Sequence, residues 1–268
     1  MNFDCINLHF IDTCNYKCKH CFVNKENNEL SIHKIKLIVD NISRYFIKNG
    51  INGRINLAGG EPLLSKNINE IIDYIYSKNI KVSIITNGYY LTKEFISKNK
   101  TKISCIGISV DSLDYDTNLK IGRCEKNNTI DSNALIELCK YIKESNIRLK
   151  INTCLSKLNV NENFTEFLEK TKPDRYKVLE MTCFKNSELE GLKATSQEIK
   201  TFLEKHKSYI SIFEPDYEML DSYIIIDSKG HLATNNLHIS NLNAVEMDID
   251  LLIKEIGINY INYIKRYL

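Results

Sequence analysis

Short β-branched or apolar runs alternate with longer amphipathic stretches along this chain. Residues 6–11 (INLHFI) read as a strand that ends just before a cysteine-bearing loop. Ser31 is placed to cap a helix to about Lys48, with Ile35, Ile38, Ile42 and Phe46 on one stripe and Gly50 as its stop. Residues 54–60 (RINLAGG) predict a strand and a glycine turn, 67–79 a helix, 81–88 a strand and turn, 103–111 a strand, and 131–145 a helix. Two further strands are predicted at 148–155 and 175–182. Six β-runs, most of them separated by helices, predict an α/β fold with a parallel sheet of βα units. Residues 222–234 differ: their Ser-Lys-Gly turn predicts a hairpin, with a helix following from about 244. A core over 1–182 is therefore expected, with 183–268 as a C-terminal extension packing on the same domain.

Composition narrows the function classes. A chain of 268 residues buries roughly three quarters of its extended surface and needs no covalent staples. The formal charge of +2 does not imply a nucleic-acid-binding surface, but it leaves room for a local basic pocket. Nine cysteines are an odd number, three crowded and the rest scattered, which argues against a disulfide framework. The N-terminal residues lack the basic start and apolar core of a signal peptide. No apolar run approaches the roughly 20 residues of a membrane span. A cytoplasmic protein without membrane attachment is expected.

The crowded cysteines carry the chemistry. Cys14, Cys18 and Cys21 lie in the stretch DTCNYKCKHCFVN, spaced C-x3-C-x2-C just after the first predicted strand. Incidental thiols rarely crowd so closely. A structural zinc ion takes four ligands, and His20 cannot easily join its close neighbours Cys18 and Cys21. A four-iron cluster held by three thiolates keeps one iron open for another ligand. The loop resembles the signature of the radical S-adenosylmethionine (SAM) enzymes, including the aromatic Phe22. That resemblance implies a partial (βα)6 barrel and a [4Fe–4S] cluster at Cys14, Cys18 and Cys21, whose open iron binds SAM. It also implies reductive cleavage of SAM to a 5′-deoxyadenosyl radical. A second mark is AGGEP, ending the second strand with Gly59, Gly60, Glu61 and Pro62. Paired glycines let backbone approach a ligand closely, and in the superfamily this turn holds the SAM amino group. Thr86, Asn87 and Ser109 match further SAM-contacting positions.

The likeness runs on. INLHFIDTCNYKCKHCF, RINLAGGEPLL, ISVDSLD with IGR, LKINTCLSKLNVNEN, DRYKVLE and LDSYIIIDSKG together resemble the viperin family of nucleotide dehydratases. The resemblance implies conversion of a ribonucleoside triphosphate (CTP, UTP or GTP) to its 3′-deoxy-3′,4′-didehydro derivative, an RNA chain terminator in antiviral defence. A triphosphate brings about four negative charges and calls for Arg forks and Lys ammonium groups. Arg54 with Asn56, Lys150 with Asn152, and Arg175 with Lys177 are i, i+2 pairs that each point to one face of a strand. Asn7 and Arg123 match nucleotide-contacting segments of the family, and Tyr223 matches a relay tyrosine. The resemblance further implies an electron donor such as flavodoxin or ferredoxin, and a monomer. Two alternatives stand beside it: a radical SAM enzyme that modifies a peptide or small molecule, and a non-catalytic redox sensor. Peptide-modifying relatives commonly add a cysteine-rich C-terminal extension, whereas no Cys follows Cys183 here.

Overall fold

The structure, a computed structural model, describes residues 2–183, 187–234 and 239–266. Ten strands form one sheet: β1 Cys5–Ile11, β2 Arg54–Gly59, β3 Lys81–Thr86, β4 Ile103–Ser109, β5 Arg148–Leu155, β6 Arg175–Glu180, β7 Ile210–Glu214, β8 Ile225–Ile226, β9 His231–Ala233 and β10 Ile239–Asn243. Their spatial order is β10-β9-β8-β1-β2-β3-β4-β5-β6-β7. Each strand from β1 to β7 pairs parallel with the next, and β8 pairs parallel with β1. The hairpin β8–β9 and strand β10 add an antiparallel margin beyond β1. The α/β fold with its parallel core and C-terminal hairpin is thus as expected.

The helices form where the sequence places caps and stripes. Helix 32–48 starts on Ser31, whose side chain accepts from Lys34 N, and buries Ile35, Ile38, Val39 and Ile42. Helix 68–77 buries Ile68, Ile71, Ile72 and Ile75. Helix 132–144 starts on Asp131 and buries Leu135, Ile136, Cys139 and Ile142. These stripes pack on Ile6, Leu8, Ile55, Leu57, Ile84, Ile106 and Ile151, all 0–1 % exposed. Each such side chain contributes about 1.5–3 kcal/mol when buried. Side chains alternate along a strand, so Asn7, Asn56, Lys150, Asn152 and Lys177 are directed the other way, into the cavity that the curved sheet encloses.

Several elements depart from expectation. β7 was not anticipated: its five residues are mostly half-exposed and carry no long apolar run. β10 was likewise missed. The C-terminal helix expected from about 244 begins at Ile249, where Asp248 caps it, and a second helix, 260–265, follows. Among the described residues, no helix is long and apolar enough to cross a membrane.

Candidate active site

One end of the cavity is a sulfur site. Cys14, Cys18 and Cys21 line a space of about 310 Å³, together with Phe22, Gly59, Gly60, Thr86, Asn87, Ser109 and Asn152. The loop is held by backbone bonds to distant segments. Gly60 N donates to Ile11 O at 2.7 Å and Glu61 N to Thr13 O at 2.9 Å. Lys17 N donates to Gly122 O at 3.0 Å and Lys19 N to Ile121 O at 2.9 Å. These approaches demand glycine: a Cβ on Gly60 would sit 2.1 Å from Thr13 O, and one on Gly122, at φ +88°, 2.3 Å from Lys17 O. Among the described residues, no three His, Cys, Asp or Glu side chains converge on a single metal ion. Three thiols from one loop, lining one space, fit a four-iron cluster with one iron left open.

Buried polar groups brace this end. Glu61, fully buried, accepts from Thr86 Oγ1 at 2.7 Å, Asn87 N at 2.7 Å and Leu63 N at 3.0 Å. Asn87 Nδ2 donates to Asn15 Oδ1 at 2.7 Å and reaches Cys14 Sγ at 3.8 Å. Arg123 pairs with Asp111 at 2.9 Å, lies 3.9 Å from Cys18 Sγ, and covers the Tyr16 ring. His20 joins the same carboxylate at 3.1 Å. Burial pushes Asp111 up, but Arg123 and His20 outweigh it and hold the acid well below the usual carboxylate range. Burial pushes the Cys18 thiol up to about 12, with Arg123 opposing. His9, lining the same cavity from β1, is lowered to about 4 by burial and stays neutral at pH 7.

A second, adjoining pocket is cationic and lies at the N-terminal starts of the strands. A recess of about 80 Å³ there is lined by Arg54, Arg148, Lys150, Arg175, Lys177 and Arg266, with Cys5, Cys105 and Asp174. Strand register gathers them, since Lys150 sits beside Arg175 and Asn152 beside Lys177. The two spaces share Asn7, Asn56, Lys150, Lys177 and Tyr223 as walls. Burial lowers Lys150 to about 8, with Arg175 adding to the effect. Lys177 Nζ lies 2.5 Å from Glu214 Oε1 and donates to the Tyr223 hydroxyl at 2.6 Å. Tyr223 in turn donates to Glu214 Oε2 at 2.7 Å. The Arg266 guanidinium stacks 3.4 Å over the Tyr223 ring, and its carbonyl accepts from Arg175.

Comparison with known proteins identifies the frame. The Radical SAM superfamily model matches residues 8–171. An S-adenosylmethionine-dependent nucleotide dehydratase of Psychrobacter lutiphocae is 31% identical over 98% of this chain and 94% of its own length. The chain belongs to the radical SAM superfamily, within its nucleotide dehydratase family. A dehydratase of the same name from Selenomonas ruminantium is 31% identical over 85% of this chain and 84% of that protein. The radical SAM fold recurs in Streptococcus suis SuiB bound to S-adenosylmethionine, with a TM-score of 0.71 at 19% identity, over 94% of this chain and 67% of SuiB. The radical SAM enzyme's cofactors are accordingly a [4Fe–4S] cluster and SAM, and it needs a reductant.

The expected site residues fall into several groups. Cys14, Cys18, Cys21, Phe22, Gly59, Gly60, Asn87 and Ser109 surround the sulfur end. Glu61 and Thr86 brace it from within. Arg54, Lys150, Arg175 and Lys177 gather at the cationic end, with Tyr223 at the junction. Arg123 stands apart from that recess, beside the cysteine loop, because Asp111 captures it. Asn7 and Asn56 are occupied by each other: Ser83 Oγ donates to Asn56, Asn56 to Asn7, and Asn7 to Ile224 O. Sequence reasoning missed Arg148 and Glu214. Arg148 begins β5 two positions before Lys150, so the i, i+2 rule extended one step would have found it.

Proposed function

We propose that this radical SAM enzyme converts a ribonucleoside triphosphate to its 3′-deoxy-3′,4′-didehydro derivative. The observation that carries this reading is a pair of adjoining pockets, one lined by the three thiols and the other by a cluster of Arg and Lys, with Lys150, Lys177 and Tyr223 lining both. Arg54, Arg148, Lys150, Arg175, Lys177 and Arg266 would hold the phosphates, which places the ribose near Tyr223. Cys14, Cys18 and Cys21 would hold the cluster, and Gly59, Gly60, Asn87 and Ser109 would line the SAM site. Together these cofactors would supply the 5′-deoxyadenosyl radical. Arg123 and Asp111 would keep the loop rigid. The reaction removes the C4′ hydrogen as an atom, releases the 3′-hydroxyl with one proton as water, and takes up one electron. Tyr223, donating to Glu214 and accepting from Lys177, is the group best placed to relay that proton or electron. The product would end a growing RNA chain, which fits antiviral defence in a cytoplasmic, monomeric enzyme served by a flavodoxin or ferredoxin.

Asn7, the residue matched to the nucleotide in the family, has its amide engaged internally. We favour a pyrimidine, on the strength of the family resemblance. The experiment is competition: anaerobically reconstituted protein, SAM, reductant and all four triphosphates at equal concentration, with products separated by mass. One deoxy-didehydro pyrimidine supports the reading. A guanosine product keeps the reaction and overturns the base. No nucleotide product, with SAM cleaved only when a peptide is added, overturns the function.

A further inference from the structure

Glu214 ends β7 and is 2 % exposed. Its carboxylate stands behind the cationic recess, not at an outer rim. One oxygen lies 2.5 Å from Lys177 Nζ, and the other accepts from Tyr223 and lies 3.7 Å from Arg266. Lys177 and Arg266 are two of the cations that phosphate oxygens need. The carboxylate does not satisfy Arg266, whose Nε and Nη1 are buried without a hydrogen-bond partner. A guanidinium carries five donors in a fixed fork, and buried donors left without acceptors are costly. Arg266 therefore has bonding capacity to offer an arriving anion. An arriving phosphate and the Glu214 carboxylate would draw on the same two positive charges, Lys177 and Arg266, and two anions held so close in a buried site repel strongly.

We infer that Glu214 is an internal anion that competes with incoming phosphates for Lys177 and Arg266, raising the negative charge a ligand must bring. The inference rests on the nucleotide reading of this recess. A short anion such as orthophosphate brings too little charge to displace the carboxylate from both cations. A triphosphate spans the recess and recovers the loss at Arg54, Arg148, Lys150 and Arg175. Selectivity then comes from a repulsive element as well as attractive ones.

The test is the sign of a binding change. Titration calorimetry on anaerobically reconstituted, SAM-loaded protein compares wild type with Glu214→Gln, using inorganic tripolyphosphate, pyrophosphate and each nucleoside triphosphate. Glutamine keeps the shape and an acceptor but removes the charge. The Kd for tripolyphosphate is expected to fall about tenfold, the scale of one charge-assisted bond. Pyrophosphate, which recovers less at the other cations, should gain more than tripolyphosphate. If Glu214 instead preorganises the two cations, the substitution weakens binding. An unchanged or higher Kd in a folded variant overturns the inference and leaves the nucleotide reading standing. If neither protein binds any nucleoside triphosphate or tripolyphosphate, the nucleotide reading falls and takes the inference with it. Should the glutamine variant fail to melt cooperatively, Glu214→Asp carries the test, because it draws the charge back from Arg266. A smaller tightening supports the inference, and none overturns it.

Discussion

The two ends of the cavity are built by different means. The sulfur end takes all three thiols from a single loop, and that loop's shape depends on backbone: four main-chain bonds from Lys17, Lys19, Gly60 and Glu61 hold it, and two glycines clear its path. The cationic end has no loop of its own. It is a sum of side chains from strands far apart in sequence, each adding charge to a shared space. A backbone-built site should fail as a unit when one part is wrong. A charge-built site should fade in steps. The brace at Arg123 fits the first kind, since one guanidinium ties β4, the Asp111 carboxylate and the Cys18 thiol together.

The largest effect is expected from Cys14→Ala, Cys18→Ala or Cys21→Ala. Iron content should drop from about four per chain to near none, and SAM cleavage should vanish. Tripolyphosphate affinity should hardly move. If it collapses too, the two ends are not independent and the contrast breaks. Next comes Gly122→Ala, which forces a side chain against Lys17 O at a left-handed backbone position. A loss of about 2–3 kcal/mol in urea unfolding is expected, together with poor cluster loading. Normal loading would mean that the loop tolerates displacement.

Graded effects should follow at the other end. Arg175→Ala or Lys177→Ala should weaken triphosphate binding by about 1.5–3 kcal/mol, read by calorimetry, with SAM affinity intact. Loss of SAM binding with nucleotide affinity preserved would reverse the assignment of β6. The smallest effect concerns pH. Lys150, lowered to about 8, carries its charge below that value and loses it above. Triphosphate affinity should therefore decline as pH rises through about 8, and Lys150→Arg should flatten the decline. An identical profile in the variant would assign the titration to another group.

The same contrast explains what was legible in sequence. Cys14, Cys18 and Cys21 were legible because one short loop holds all three thiols. The paired cations on β2, β5 and β6 were legible because a two-residue period is visible without a partner strand. Glu214 was not: β7 is short and half-exposed, and nothing nearby in sequence shows that its last residue meets Lys177 across the sheet. Arg123 was legible as an arginine of interest but not as to its place, since Asp111 twelve residues away decides where it points. Asn7 and Asn56 were legible as polar residues facing the pockets, but their bond to each other was not, because it follows from their being level on β1 and β2.

The pairing of β8 with β1 has a kinetic consequence. It joins Asn7 to Ile224, residues 217 positions apart, and Tyr263 locks the same strand through Cys5 N and Asp4. Contacts of such long sequence separation form slowly, because loop closure is uphill until the contact is made. The sulfur loop and its glycine turn can assemble once β1, β2 and helix 115–121 have left the ribosome. Tyr223 and Arg266 are made later. A nascent chain would thus acquire a place for its metal well before it could grip a substrate, and bound nucleotide would protect the C-terminal helices, more than the rest, against local opening.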